Sequence, residues 1–151
     1  MRHRTTAIVG LLAALAVAGC SASTADSKPS ATGTTAGLAA EWGPKLKQAT
    51  AADPAVCNAV GDQACAEHLT DIAIAVTELE GDIADEGGKA AYPETSAQID
   101  KNNAAVQAYT DHECLGDENA GIQGSPCPDD VQTILSTAEA LPLALQADEA
   151  Q

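Results

Sequence analysis

The chain has 151 residues and a formal charge of −15, from 7 Lys and Arg against 22 Asp and Glu. A phosphate-binding surface needs clustered basic side chains, and none exists, which excludes nucleic acid as a partner. The length and the 33 alanines fit one domain with a modest core; the aromatic residues are Trp42, Tyr92 and Tyr109, and there are five cysteines.

Residues 1–19 read as a leader. Arg2 and Arg4 give a basic start, and Ala7 to Ala18 is an uncharged, apolar run of 12 residues. At about 1.5 Å per residue this run is too short for a hydrocarbon core of about 30 Å, and it fits the apolar region of a secretory signal. It ends in Leu15-Ala16-Val17-Ala18-Gly19-Cys20. An apolar residue, then small residues, then cysteine resembles the lipobox of bacterial lipoproteins. The resemblance covers residues 1–20 and no more. It implies that Cys20 becomes the first residue of the processed chain and carries diacylglycerol on its sulfur, with acyl chains of the palmitate type. The implied location is the cell membrane, lipid-anchored on its extracytoplasmic face. The bilayer is then one partner, through Cys20, and an unidentified envelope protein is the expected second. Loss of residues 1–19 removes two arginines and no acid, leaving five basic against 22 acidic residues, a formal charge of −17. No later segment is apolar over 18 residues, so no second span is expected.

The stretch from Cys20 to Gly37 is a tether. Residues 21–37 read SASTADSKPSATGTTAG, without one large apolar side chain. Such a segment buries too little to offset its chain entropy, and its reach is roughly 23 Å.

Residues 38–151 read as a helical domain. Leu38, Trp42, Leu46 and Ala49 have helical spacing, but Gly43-Pro44 interrupts them. The clearest element starts near Asp62: Cys65, Leu69, Ile72, Val76, Leu79 and Ile83 alternate steps of four and three, a single apolar stripe that ends before Gly87-Gly88. The third follows Pro93, with Ile99, Asn102, Val106 and Tyr109 on one face beside Ala105 and Ala108. The fourth follows Pro126 and Pro128. Asp129 and Asp130 lie in its first turn, where the helix dipole favours acids. Val131, Ile134, Leu135, Ala138, Leu141 and Leu145 form its apolar face, and Pro142 is expected to kink or end it. Sustained period-two alternation is absent. The expected fold is all-α: a small, disulfide-stapled four-helix bundle in up-down-up-down order, since connections 52–61, 87–93 and 115–125 are short. Close-packed alanine and leucine leave little room for a large cofactor, and none is expected.

Cys57, Cys65, Cys114 and Cys127 remain once Cys20 is assigned to lipid. Four cysteines in an exported chain imply two disulfides, in one of three connectivities. Cys57 and Cys65 flank the first connection and Cys114 and Cys127 the third, so neighbour pairing would staple two helical hairpins. The second loop then stabilises by about 3 kcal/mol and the shorter first by slightly less. In an up-down-up-down bundle both loops lie at one pole, opposite the tether and facing away from the membrane. His68 and His112 join that pole. With reduced thiols, Cys65, His68, His112 and Cys114 are the alternative metal ligands.

Other chemistry is thin. Glu67, Asp71, Glu78, Asp82 and Asp85 lie off the apolar stripe as a solvated acidic face. Asp117-x-Asn119-x-Gly121 opens like a calcium loop, but Ile122 stands at the turn glycine and Pro128 at the bidentate Glu. No nucleophile elbow, zinc-protease, phosphate-loop or dinucleotide pattern occurs, so no catalytic residue is named and no enzyme is expected. The expected role is a non-catalytic binding or interaction module. The alternative is a metal-handling lipoprotein using the Cys/His pole or the acidic face.

Overall fold

The computed structural model describes residues 37–51 and 55–151, all within the compact unit Thr34–Gln151. The leader, Cys20, the tether up to residue 36 and residues 52–54 of the first connection lie outside the described residues.

Four helices form, and no strand among the described residues: α1 (Leu38–Ala49), α2 (Gln63–Asp85), α3 (Pro93–Asp111) and α4 (Cys127–Glu149), with a 3-10 turn at Gly88–Ala90. The α2 stripe is buried at every expected position, with Val76 and Leu79 fully covered. α3 begins on Pro93, whose missing N–H costs nothing in a first turn. Val106 is only half-buried, and Leu135 of α4 likewise. Their places in the core go to Ala105 and to Thr137.

Neither interior proline ends its helix. α1 runs through Gly43-Pro44, and α4 continues past Pro142 to Glu149. Pro44 removes the hydrogen bond to the Ala40 carbonyl, but both residues are exposed, so the carbonyl stays open to solvent. Trp42 and Leu46, nearly inaccessible, hold the turns on either side. In α4, buried Leu141 and Leu145 flank Pro142, and Asp148 is tied to another helix beyond it. Tertiary contact there outweighs the local cost of proline, about 3 kcal/mol.

The helices form a ring in chain order. α3 and α4 share the most extensive interface, α2 and α4 touch across the diagonal, and α1 and α3 stand apart. Neighbours are antiparallel. Trp42 near the start of α1 donates its indole N–H to Asp82 near the end of α2, at 2.8 Å. His112 just past α3 meets Asp130 at the start of α4.

The opposite pole is held by the last turn of α4. Asp148, buried, accepts from the Glu94 and Thr95 backbone N–H groups at 3.1 and 2.8 Å and from the Thr95 hydroxyl at 2.7 Å. Glu149, exposed, accepts from the Ala39 N–H at 2.8 Å. Neither Tyr92 nor Gly37 caps its own helix through a side chain. Two adjacent carboxylates therefore cap two neighbouring helices, satisfying donors that a helix leaves free and meeting their positive dipole ends.

Midway along α3, fully buried Asn102 donates its amide to the Ile134 carbonyl at 2.9 Å and the Thr137 hydroxyl at 2.8 Å. Its Oδ1 has no hydrogen-bond partner among the described residues.

Two stability measurements by urea unfolding test this frame. Asp148→Ala should cost about 2–3 kcal/mol, because three donors lose a charged acceptor, whereas Glu149→Ala should cost less than about 1 kcal/mol. Asn102→Leu should be neutral or stabilising by about 1 kcal/mol, since it removes the orphaned acceptor and the Thr137 hydroxyl keeps its bond to Thr133 at 2.6 Å. A loss above about 2 kcal/mol in Asn102→Leu would show that the amide's two bonds outweigh its unpaired oxygen.

Candidate functional site

The two disulfides are Cys57–Cys65, with Cα atoms 4.6 Å apart, and Cys114–Cys127, at 5.7 Å. Each closes one helical hairpin. The two cysteine-bearing connections also bind one another, as their common pole requires. Gly116 donates its N–H to the Gly61 carbonyl at 2.8 Å, and the Tyr109 hydroxyl donates to the Val60 carbonyl at 2.7 Å. Gly61 is needed for this approach: a Cβ there would stand 2.6 Å from the Asp117 carbonyl oxygen.

This pairing consumes the sulfurs of the alternative metal set. Cys65 is bonded to Cys57 and Cys114 to Cys127, and the set Cys65, His68, His112 and Cys114 is not assembled. His68 lies in the crevice between α1 and α2, beside Trp42 and Asp71. His112 instead pairs through Nδ1 with Asp130 at 2.7 Å. Among the described residues, the group with the right proximity is His112, Cys114 and Asp130, whose ligand atoms lie within 4.8 Å of one another. With Cys114 in a disulfide, it offers a metal one imidazole and one carboxylate. Asp82 also leaves the solvated acidic face: it is half-buried and serves the Trp42 indole.

An apolar concavity lies elsewhere. α2 and α3 diverge toward the disulfide pole and leave an apolar groove of about 550 Å³. α2 contributes a second stripe beside its core stripe: Ala66, Thr70, Ala73, Ile74 and Thr77, with Leu69 at the floor. α3 contributes Val106, Tyr109 and Thr110, and Leu115 closes the polar end. Ile74 and Leu115 are large, apolar and about half exposed, at 53% and 51%. The threonine hydroxyls are committed to their own helices: Thr70 donates to Ala66, Thr77 to Ala73 and Thr110 to Val106. The Tyr109 hydroxyl is committed to Val60, and burial pushes its ionisation above the usual phenol range. The lining thus offers almost no free donor.

No Lys, Arg or His lines the groove; its charged members are Glu78 and Glu113. Glu113 has φ 54°, the left-handed region that disfavours a side chain. It follows α3 at the position usually given to glycine. The Cys114 N–H reaches the Tyr109 carbonyl at 3.2 Å and the Glu113 N–H the Thr110 carbonyl at 3.0 Å, which closes the helix end. The geometry sets a carboxylate at the groove's edge at a backbone cost of about 1 kcal/mol.

Sequence reasoning missed this site. Close packing of alanine was expected to fill the bundle, and Ile74, off the stripe by two residues from Ile72, was the available signal for a second apolar face. No family model, no curated protein and no solved structure matches the chain, so the site rests on its own geometry.

The pole can be tested by glycine substitution. Gly61→Ala should cost about 1–3 kcal/mol, since a backbone oxygen must move. Gly121→Ala, where nothing lies within 4 Å of a built Cβ, should change stability by less than about 0.5 kcal/mol. Equal urea midpoints for the two variants would show that the two loops separate in solution.

Proposed function

We propose that this protein is a lipid-anchored, extracytoplasmic lipoprotein whose helical domain is a non-catalytic binding module, and that the α2–α3 groove is its binding surface. The observation that carries the binding role is the pairing of an apolar lining with two half-exposed large side chains, Ile74 and Leu115. A small domain gains nothing in stability from leaving such residues wet, and an apolar concavity of this size is in the range that takes ligands or partner side chains. The committed hydroxyls and the sulfurs held in disulfides leave the groove without an activated nucleophile, which favours binding over chemistry.

The anchor rests on Arg2, Arg4, the apolar run and the Leu15–Cys20 pattern. The described chain enters at Gly37, at the pole opposite the disulfides. An anchored domain would then present the cysteine pole away from the bilayer.

Two measurements test this reading. Cys20→Ala should abolish acylation and either release the protein from membranes or leave it unprocessed; unchanged size and fractionation would defeat the anchor. For the groove, the chain from residue 20 carrying Cys20→Ser is titrated with the neutral dye N-phenylnaphthylamine. Binding should brighten the dye, and Ile74→Asn or Leu115→Asn should weaken it about tenfold. Both sites are exposed, so stability should move by less than about 0.5 kcal/mol. Dye affinity unaffected by either substitution would remove the groove as the binding surface.

A further inference from the structure

We infer that the groove takes a basic amphipathic helix of a partner protein, about three turns long, laid along α2. The inference rests on the groove being the binding surface and adds the class of its occupant.

Shape points to a helix. The α2 wall from Ala66 to Glu78 is unbroken helix and spans about 18 Å, or about twelve helical residues. Ala66 and Ala73 are small enough for a second helix axis to approach to about 8–10 Å. Ile74 and Leu115 then act as anchors toward the two ends of the contact, in the way apolar faces seat in helix-binding grooves.

Charge sets the sign of the partner. Between Lys47 and Lys89 the sequence contains no Lys or Arg, and α2 carries Glu67, Asp71, Glu78, Glu80, Asp82 and Asp85. Across the groove, Glu113 adds a carboxylate. Its side chain makes no hydrogen bond or ion pair with another described residue. Flanking Lys or Arg on an incoming helix would meet Glu78 and Glu113 and be steered by the acidic field of the domain. The same field opposes a second copy of this chain, which from residue 20 onward brings its own −17.

The test uses the chain from residue 20 with Cys20→Ser and synthetic peptides followed by fluorescence anisotropy and circular dichroism. A Leu/Lys peptide patterned as an amphipathic helix should bind one to one, gain helicity and displace N-phenylnaphthylamine. Ile74→Asn and Leu115→Asn should each weaken it about tenfold. Glu78→Gln with Glu113→Gln should weaken it about three- to tenfold at low salt and flatten its salt dependence. Equal affinity for a Leu/Glu peptide of the same pattern would overturn the inference. So would equal affinity for a scrambled Leu/Lys peptide, since attraction would then be charge without shape. A dimer in sedimentation that Ile74→Asn dissolves would make the occupant a second copy and overturn it as well. Displacement of dye by dodecyltrimethylammonium but not by the Leu/Lys peptide would assign the groove to a small cationic amphiphile instead. If the dye binds and no peptide does, only the inference about the occupant fails; if the dye fails to bind too, the reading of the groove fails with it.

Discussion

The carboxylate of Asp148 on the first turn of α3 is the contact around which the bundle is arranged. An ionised group this deeply buried must be paired, and three donors on Glu94 and Thr95 pair it. Near the end of its own helix an acid opposes the dipole. At the start of two neighbours it does the reverse, and Glu149 repeats the device on α1. α4 thereby fixes the entry points of α1 and α3, and the Cys114–Cys127 bridge ties its own start to the end of α3. The α3–α4 pair is closed at both ends, with Asn102 and Thr137 at its middle.

The position of α2 follows from different bonds. It is held to α1 by Trp42 and Asp82, to the first connection by Cys57–Cys65, and across the diagonal to α4. Contact with α3 along its whole length is not needed to keep it in place. Midway along α3 Asn103 donates to Glu80 at 3.2 Å, and nearer the turn Ile99 lies beside Ile83. Toward the disulfide pole the two helices are free to diverge. An open apolar groove in so small a domain is thus a consequence of which helix pairs carry the staples.

What could be read in the sequence is what repeats at short range. The α2 stripe and the proline-marked starts of α3 and α4 follow from local spacing, and neighbour pairing of the cysteines follows from loop length once the helices are placed. The prolines misled because the rule that proline breaks a helix is local. The forces that carry α1 past Pro44 and α4 past Pro142 come from Leu46, Leu141, Leu145 and Asp148 meeting distant partners. The Asp148–Thr95 and Trp42–Asp82 bonds join residues 53 and 40 apart, and no periodicity marks them. Weak self-caps at Gly37 and Tyr92, together with acids at the end of α4, were the trace left in the sequence. The groove was hidden by a similar limit. Alanine on a helix face reads as close packing, yet Ala66 and Ala73 line a space that α3 does not fill.

Charge and architecture act together on what such a surface can meet. With 21 acidic residues against four lysines in residues 38–151, the domain repels its own copies and anionic surfaces beyond contact range, an effect that fades over about 8 Å at physiological salt. An exposed apolar groove on a neutral protein invites self-association. Here Glu78 and Glu113 edge the apolar lining within an acidic domain, so hydrophobic attraction is available only to a partner that also satisfies or tolerates the field. Discrimination of this kind comes from the penalty on wrong partners as much as from contact with the right one. Glu113 concentrates both effects in a single residue: glycine would relieve its backbone, but the left-handed turn that closes α3 instead carries a carboxylate at the groove's edge.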